Sequence, residues 1–397
     1  MSLIKSNSSL IAFDNSNLSD SNNFTFLNFI QSISINSLTN RVNQKSIGNK
    51  SSFKNQFVQP EVDISISYYQ RINFFNENLF GFNFVLENTK YESFAKKLVS
   101  DSFFNKNAFI IFSEQTIDDF AERIISSDYN QEMITVSVGN LFLNSYSFSY
   151  QIGSIPLVDA SFSASQLKIS KLTHTTNYKI QNWDDSLITI DKNSVRNYLF
   201  ETNPNYLIDS GDSLSKKIVY QMKYFSFSNN FQSTSTPGPT IDNFLNGVIQ
   251  SFQFSIDLSR NKFYFFESGN VPSDRKIILP IKSKFKISGI SKDFEIGNLK
   301  NLFNVDEKFS SIISVGDPDD NNVDYYKILL DDITVESFDY SININGFLEY
   351  TIDCSIDITD EKGFRVQQVN TKRVTLLQDR NSDFLLSSEG YSLGTIY

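Results

Sequence analysis

The same pair of strands recurs in this chain about 190 residues apart, and that repeat limits the fold more than any other feature. One copy runs from Gly139 to Ser165 and the other from Asp331 to Asp357. Ser145 aligns with Ser337, Tyr146 with Phe338, Phe148 with Tyr340 and Ile152 with Ile344. Past the turn, Ala160, Phe162 and Ala164 align with Ile352, Cys354 and Ile356. Few identities survive, but the in/out phase is kept on both sides of the turn. Side chains alternate faces along a strand, so a one-residue slip would turn every apolar group to the wrong side. A chain carrying one β unit twice is suited to a symmetric assembly more than to a single active site.

The repeat extends towards the start of each unit. Asp63–Tyr68 alternates cleanly, and Gln253–Leu258 is read as its counterpart. Further strands are expected at Ile134–Val138, Ser145–Ile152, Leu157–Ala164, Ile218–Phe227, Ile249–Leu258, Lys276–Ser288, Tyr325–Leu330, Ile333–Ile344 and Leu348–Ile358. Two helices fit the first unit. Thr89 and Glu92 form a capping box ahead of an apolar stripe of Tyr91, Phe94, Ala95, Leu98 and Val99. Thr116–Ile125 carries a second stripe, and Gly297–Phe303 at most a short helix. Residues 1–57 are Ser/Asn-rich with apolar islands and read as an N-terminal arm, poorly ordered until docked. The remaining boundaries follow: a first domain over 58–170, an insertion or connection over 171–246, a second domain over 247–365 and a C-terminal extension over 366–397.

Composition removes several function classes. The net charge of −10 argues against wrapping nucleic acid by charge neutralisation, though not against a channel that nucleic acid traverses without sticking. The one cysteine, Cys354, excludes an intrachain disulfide and falls on the apolar phase of its strand, as a buried small hydrophobe would. No apolar run of about 18 residues suggests a membrane-spanning helix. The start of the chain lacks the basic and apolar segments of a signal peptide, which predicts synthesis in a cytosol. Abundant Asn, Ser, Ile and Lys look like the imprint of an AT-rich genome rather than a binding code.

No residue set nominates catalysis or a cofactor. His174, the only histidine, sits in a Lys/Thr-rich stretch without an acidic neighbour and reads as an ordinary surface or half-buried side chain. Asp317–Asp324 offers many oxygens, as hard cations require, but lacks the glycine and terminal glutamate of an EF-hand and reads as a solvated turn. Phosphate loops, dinucleotide-binding glycines and zinc spacings are absent. The chain therefore reads as non-enzymatic, with no cofactor or metal expected.

Several stretches carry a resemblance. Val138–Phe148 followed by Gly153-Ser154-Ile155-Pro156 resembles a segment of bacteriophage tail tube proteins. Ile249–Phe252 leading to Ser259-Arg260, then Pro272, Arg275 and Ile278–Ile281, resembles the same group. The resemblance implies a mainly β fold with a few helices, made of two tandem tail-tube-type β-sandwich or barrel domains. It implies a structural virion protein of the phage tail, assembled in the bacterial host cytoplasm, whose stacked rings enclose a lumen through which DNA passes unbound. Two domains favour homotrimer rings with pseudo-sixfold symmetry, with a homohexamer as the alternative. Other tail, neck or baseplate proteins are the expected partners, and no membrane is. The long 171–246 segment leaves a neck, terminator or baseplate-hub ring as the alternative, with a carbohydrate-binding β-sandwich more remote.

Within that frame the strand charges gain a use. Glu349, Asp353 and Asp357 share one face of the Leu348–Ile358 strand, and Asp159 holds the same phase in the first unit. These four are the candidate lumen-facing residues. Lys282, Lys284 and Lys286 form a basic face on another strand. Ordinary solvated strand faces and inter-subunit pairing are the competing readings of both sets.

Overall fold

The computed structural model describes residues 9–14, 24–27, 30–38, 41–44, 53–57, 61–70, 75–82, 92–93, 98, 106–112, 133–151, 156–172, 179–181, 187–189, 221–228, 248–263, 274–290, 309–316, 324–342, 348–359 and 363–368. The chain runs through β1 (Ser9–Asp14), β2 (Phe24–Phe26), β3 (Ile30–Leu38), β4 (Arg41–Gln44), β5 (Phe53–Phe57), β6 (Glu61–Tyr69), α1 (Phe75–Leu79) and β7 (Glu92–Ser93). It continues through β8 (Lys106–Phe112), β9 (Met133–Gln151), β10 (Leu157–Ala164), β11 (Gln166–Leu172), β12 (Lys179–Gln181), β13 (Leu187–Thr189) and β14 (Gln221–Ser228). The last part holds β15 (Val248–Asp257), β16 (Arg260–Phe263), β17 (Asp274–Ile277), β18 (Ile281–Ile290), β19 (Phe309–Gly316), β20 (Asp324–Ile342), β21 (Leu348–Ile358) and β22 (Phe364–Gln368).

The fold is mainly β and antiparallel throughout. One main sheet has the order β20-β21-β18-β15-β9-β10-β6-β3. It consists of two four-strand halves of the same order, β3-β6-β10-β9 and β15-β18-β21-β20, joined where β9 pairs with β15. Each half carries a flanking sheet. The first takes β1, β8 and β11 beside the N-terminal part of β9, and the second takes β14, β19 and β22 beside the N-terminal part of β20.

The two halves share matching irregularities. Strands β9 and β20 are both 19 residues long and pass from a flanking sheet into the main sheet. Both turn at a residue with left-handed backbone, Asn140 (φ 57°) and Asp332 (φ 55°). Each then carries one extra residue opposite its hairpin partner, Asn144 and Glu336 respectively. Ser163 donates to Asn144 (3.1 Å), and its counterpart Ser355 donates to Glu336. Bulges of this kind increase strand twist and fix register, so they persist when side chains drift. Gln31 in β3 and Gln250 in β15 are likewise the extra residues at which the register of their strands shifts.

These matches revise the sequence reading in three places. The counterpart of β6 is β18, and the counterpart of β15 is β3, so the pairing of Asp63–Tyr68 with Gln253–Leu258 is wrong. Both strands alternate in the same phase, and alternation alone does not reveal strand order. Residues read as an arm supply β1 and β3 to the first unit; Ile33 and Ile35 are half-buried and pack against the core from an edge. In the 171–246 segment, β14 pairs with β19 and takes the place that β1 holds in the first unit.

Glu92–Ser93, expected in a helix, is a short strand against β22, while Leu98 is helical. Thr116–Ile125, Gly297–Phe303, His174 and residues 317–323 lie outside the described residues. The expected Lys276–Ser288 strand is divided into β17 and β18 at Leu279-Pro280. Pairs of expected strands merge into the continuous β9 and β20.

The core lies between the main sheet and the flanking sheets. Phe13 of β1 reaches Phe162 (ring centroids 5.9 Å apart), and Phe364 of β22 reaches Phe254 (4.3 Å) and Phe148 (6.1 Å). Phe148 and Phe254 also meet each other at 5.2 Å, across the joint between the halves. Fully burying one such ring contributes roughly 1.5–3 kcal/mol, so an aromatic-rich chain with little Ala can build this core. Cys354 is part of it, buried on β21, and burial pushes its thiol well above the usual range.

Candidate functional site: the open face of the main sheet

Alternation gives the main sheet two unlike sides. One side is the core, with Val62, Ile64, Ile66, Phe252, Phe254, Ile352 and Ile356 buried. The other carries small hydroxyls and charges. A single row crosses all eight strands: Ser32, Ser67, Asp159 and Ser147 are cross-strand neighbours in the first half. Ser255, Lys284, Ser355 and Thr334 continue it in the second. Hydroxyls on adjacent strands bond laterally, as Ser145 does with Ser161 at 2.6 Å, Ser288 with Thr351 at 3.3 Å and Ser67 with Asp159. Such pairs tie neighbouring strands together while leaving the surface hydrated.

All four acidic candidates stand on this open side. Asp159, Glu349 and Asp357 are exposed and Asp353 is half-buried. Their surroundings differ between the halves. In the second half β18 lies directly beside β21, so Lys286 faces Asp353 and Lys282 faces Asp357. Lys286 Nζ lies 3.7 Å from Asp353 Oδ1, and Ser337 donates to Asp353 at 3.0 Å. With both members of the ion pair about half exposed, it contributes little to stability, but it neutralises charge locally. Strands β3, β6, β10 and the last part of β9 carry no Lys or Arg on their open sides. The first half is therefore the more uniformly acidic, with Glu61, Asp63 and Asp159.

The joint between the halves is braced by the β16–β17 hairpin, which leans from the second half onto the first. Arg275 is buried and donates to Ser163 (3.0 Å) and Ser165 (2.6 Å). Its guanidinium carbon lies 4.4 Å from the centroid of the Phe142 ring, and that of Arg260 lies 5.6 Å from it. Arg260 also donates to the Leu143 carbonyl at 3.3 Å. Burial, with Arg275 nearby, pushes the Arg260 guanidinium down to about 10. At the rim Lys262 pairs with Glu61 at 2.8 Å, and this hydrogen bond and charge hold the Glu61 carboxyl below its usual range. Phe142, Arg260 and Arg275 all belong to the stretches that carry the family resemblance, and the fold brings them together.

One buried acid was not anticipated. Glu77 of α1 is enclosed in the core beneath the first half. Tyr68 donates to its Oε1 at 3.0 Å and Tyr146 at 3.3 Å. Burial pushes the carboxyl up to about 7, against the opposing effect of these hydrogen bonds. Tyr68 and Tyr146 hold the apolar phase of their strands, and a phenol in that phase needs a buried acceptor, which was the available signal. Among the described residues no group of three or more acidic, His or Cys side chains is arranged to hold a metal ion.

No family model matches the chain, and no curated protein matches it. Among solved structures it is similar to the tail of an empty GTA particle of C6 symmetry, at 13% identity and a TM-score of 0.22, covering 33% of this chain and 87% of that one. It is also similar to the tube-terminating cap of the anti-feeding prophage, at 15% identity and a TM-score of 0.23, covering 43% of this chain and 92% of that one.

Proposed function

We propose that the chain is a structural subunit of a phage-type tail tube, in which copies form a ring, rings stack, and the open face of the main sheet lines a conduit for DNA. The observation that carries this reading is the main sheet itself: two like halves joined edge to edge, sealed by a core on one side and hydrated on the other. A repeated unit whose two sheet edges pair with no further strand among the described residues is built to be continued, since unpaired edge strands invite association and closure into a ring removes them. Three copies, contributing six halves, are the stoichiometry that the duplication and the family resemblance favour.

Three chains would supply three times eight strands. At a spacing of about 4.8 Å that is about 115 Å of sheet, or a circle of about 37 Å before strand tilt widens it. In this arrangement Asp159, Glu349, Asp353 and Asp357 face the lumen. Acidic and hydroxyl groups repel or merely hydrate a phosphate backbone, so DNA slides without counterion-release binding. Negative-stain microscopy of the purified protein should show rings or striated tubes with three chains per ring; compact monomers at high concentration would overturn the reading. Among the described residues the β12–β13 hairpin has no counterpart in the second half, and the long 171–246 segment that holds it favours, as a second reading, a ring at a tube end, which would give single rings without stacking in the same images.

A further inference from the structure

We propose that the C-terminal end of β20 in one copy pairs with β3 of a second copy, antiparallel, in the register by which β9 pairs with β15 inside the chain. The inference rests on the ring reading above and specifies its interface. Inside the chain, Phe148 of β9 stands opposite Phe254 of β15, and Ser149 opposite Gln253. The hairpin alignment makes Tyr340 and Ser341 the counterparts of Phe148 and Ser149. The matched bulges at Gln31 and Gln250 make Ile35 and Ser34 the counterparts of Phe254 and Gln253. Tyr340 therefore meets Ile35 of the second copy, and Ser341 meets its Ser34.

The two edges carry the marks of surfaces that are covered. Among the described residues no strand lies beyond Ser32–Leu38 or beyond Asp339–Ile342. Tyr340 is 42% exposed, although it holds the core phase of β20 opposite the buried Tyr350. Inside the chain Phe364 of β22 caps the joint by packing on Phe148 and Phe254. Its counterpart in β11 is Leu167, since Phe364 pairs with Leu330 and Leu167 with Val138. On the same face of β11, Ile169 is 65% exposed, an apolar group placed to overlie the new joint. Arg41, at the base of the β4–β5 hairpin, holds the position that Arg260 holds at the base of β16–β17.

Disulfide trapping tests the register. Directly opposed residues bring their Cβ atoms to about 4.5–5.5 Å, while a displacement by two residues along one strand opens this to about 7–8 Å, beyond what a disulfide spans. Ser34→Cys with Ser341→Cys should give, under mild oxidation, a reducible ladder of dimer and trimer. Ser34→Cys with Asp339→Cys should link at least about tenfold less. Cys354 is buried in the core and does not compete. Rings seen by microscopy without a ladder would overturn the register while leaving the tube reading intact. Dimers from Ser34→Cys alone would show that β3 pairs with β3 of another copy and would overturn the proposal. Absence of both rings and ladder would overturn the proposal and the tube reading together.

Discussion

Glu77 makes the fold sensitive to pH. The folded state holds its proton up to about pH 7, whereas the carboxyl ordinarily ionises at 4.5. The contribution is therefore complete below pH 4.5 and is lost as pH rises through about 7, amounting to about 3 kcal/mol. Glu77→Gln keeps an acceptor for Tyr68 and Tyr146 and removes the titration. Thermal melts should show the wild-type Tm falling between pH 4.5 and 7 and the variant nearly flat; an unchanged slope in the variant would assign the titration to another group. Gly363 is a second sensitive position. It has φ +103°, and a Cβ added there would lie 2.6 Å from the Asp357 carbonyl oxygen. Its own carbonyl accepts from the Asp331 amide at 2.8 Å, which ties the end of β21 to the bend in β20. Gly363→Ala should cost at least about 2 kcal/mol in denaturant melts.

At the scale of elements, the long strands depend on their bends. Asn140 and Asp332 adopt left-handed backbone at matching places, a conformation that glycine accepts freely and that costs other residues roughly 1–2 kcal/mol. Asp332→Gly should leave stability unchanged or raise it, and Asp332→Val should lower it by about that amount, measured by chemical denaturation. Opposite signs would mean that the Asp332 side chain, not its backbone, fixes the bend. The bend also marks what the sequence revealed. The alternation of Leu157–Ala164 and Leu348–Ile358 made both strands legible, and their shared phase exposed the repeat. The bends were not legible, because Asn and Asp are common throughout this chain and a left-handed residue leaves no periodic trace. Strand β3 was missed for a related reason: Ile33 and Ile35 alternate, but Ser and Asn around them resemble the composition of unstructured segments. Lys286 opposite Asp353 was invisible because nothing in either strand states that they are neighbours.

At the scale of the whole molecule, the duplication places differently patterned charge on two otherwise matched halves. The first half presents Glu61, Asp63 and Asp159 without a lysine among them on its own strands, whereas the second sets Lys282, Lys284 and Lys286 among Asp257, Glu336, Asp339, Glu349, Asp353 and Asp357. A ring of alternating halves would then present sectors of acids alone separated by sectors of mixed sign in which acids outnumber lysines, a pattern that repels phosphate without a uniform field. Asp159 is the residue on which this turns, since it is exposed, central in its half and far from the β3 and β20 edges. In assembled tubes carrying Asp159→Cys, a small maleimide should react while one bearing a bulky polymer is excluded, and both should react with dissociated subunits. Equal reaction of the bulky reagent with intact tubes would place Asp159 on the outer wall. Asp63→Lys with Asp159→Lys should leave the core side of the sheet untouched and convert the acidic sector to a basic one. Tubes of that variant should then retain short duplex DNA in co-sedimentation at low salt and release it as salt rises, because screening shortens the reach of the added charges. Wild-type tubes should retain none at any salt; retention by both would remove charge exclusion as the reason that the open face is polar.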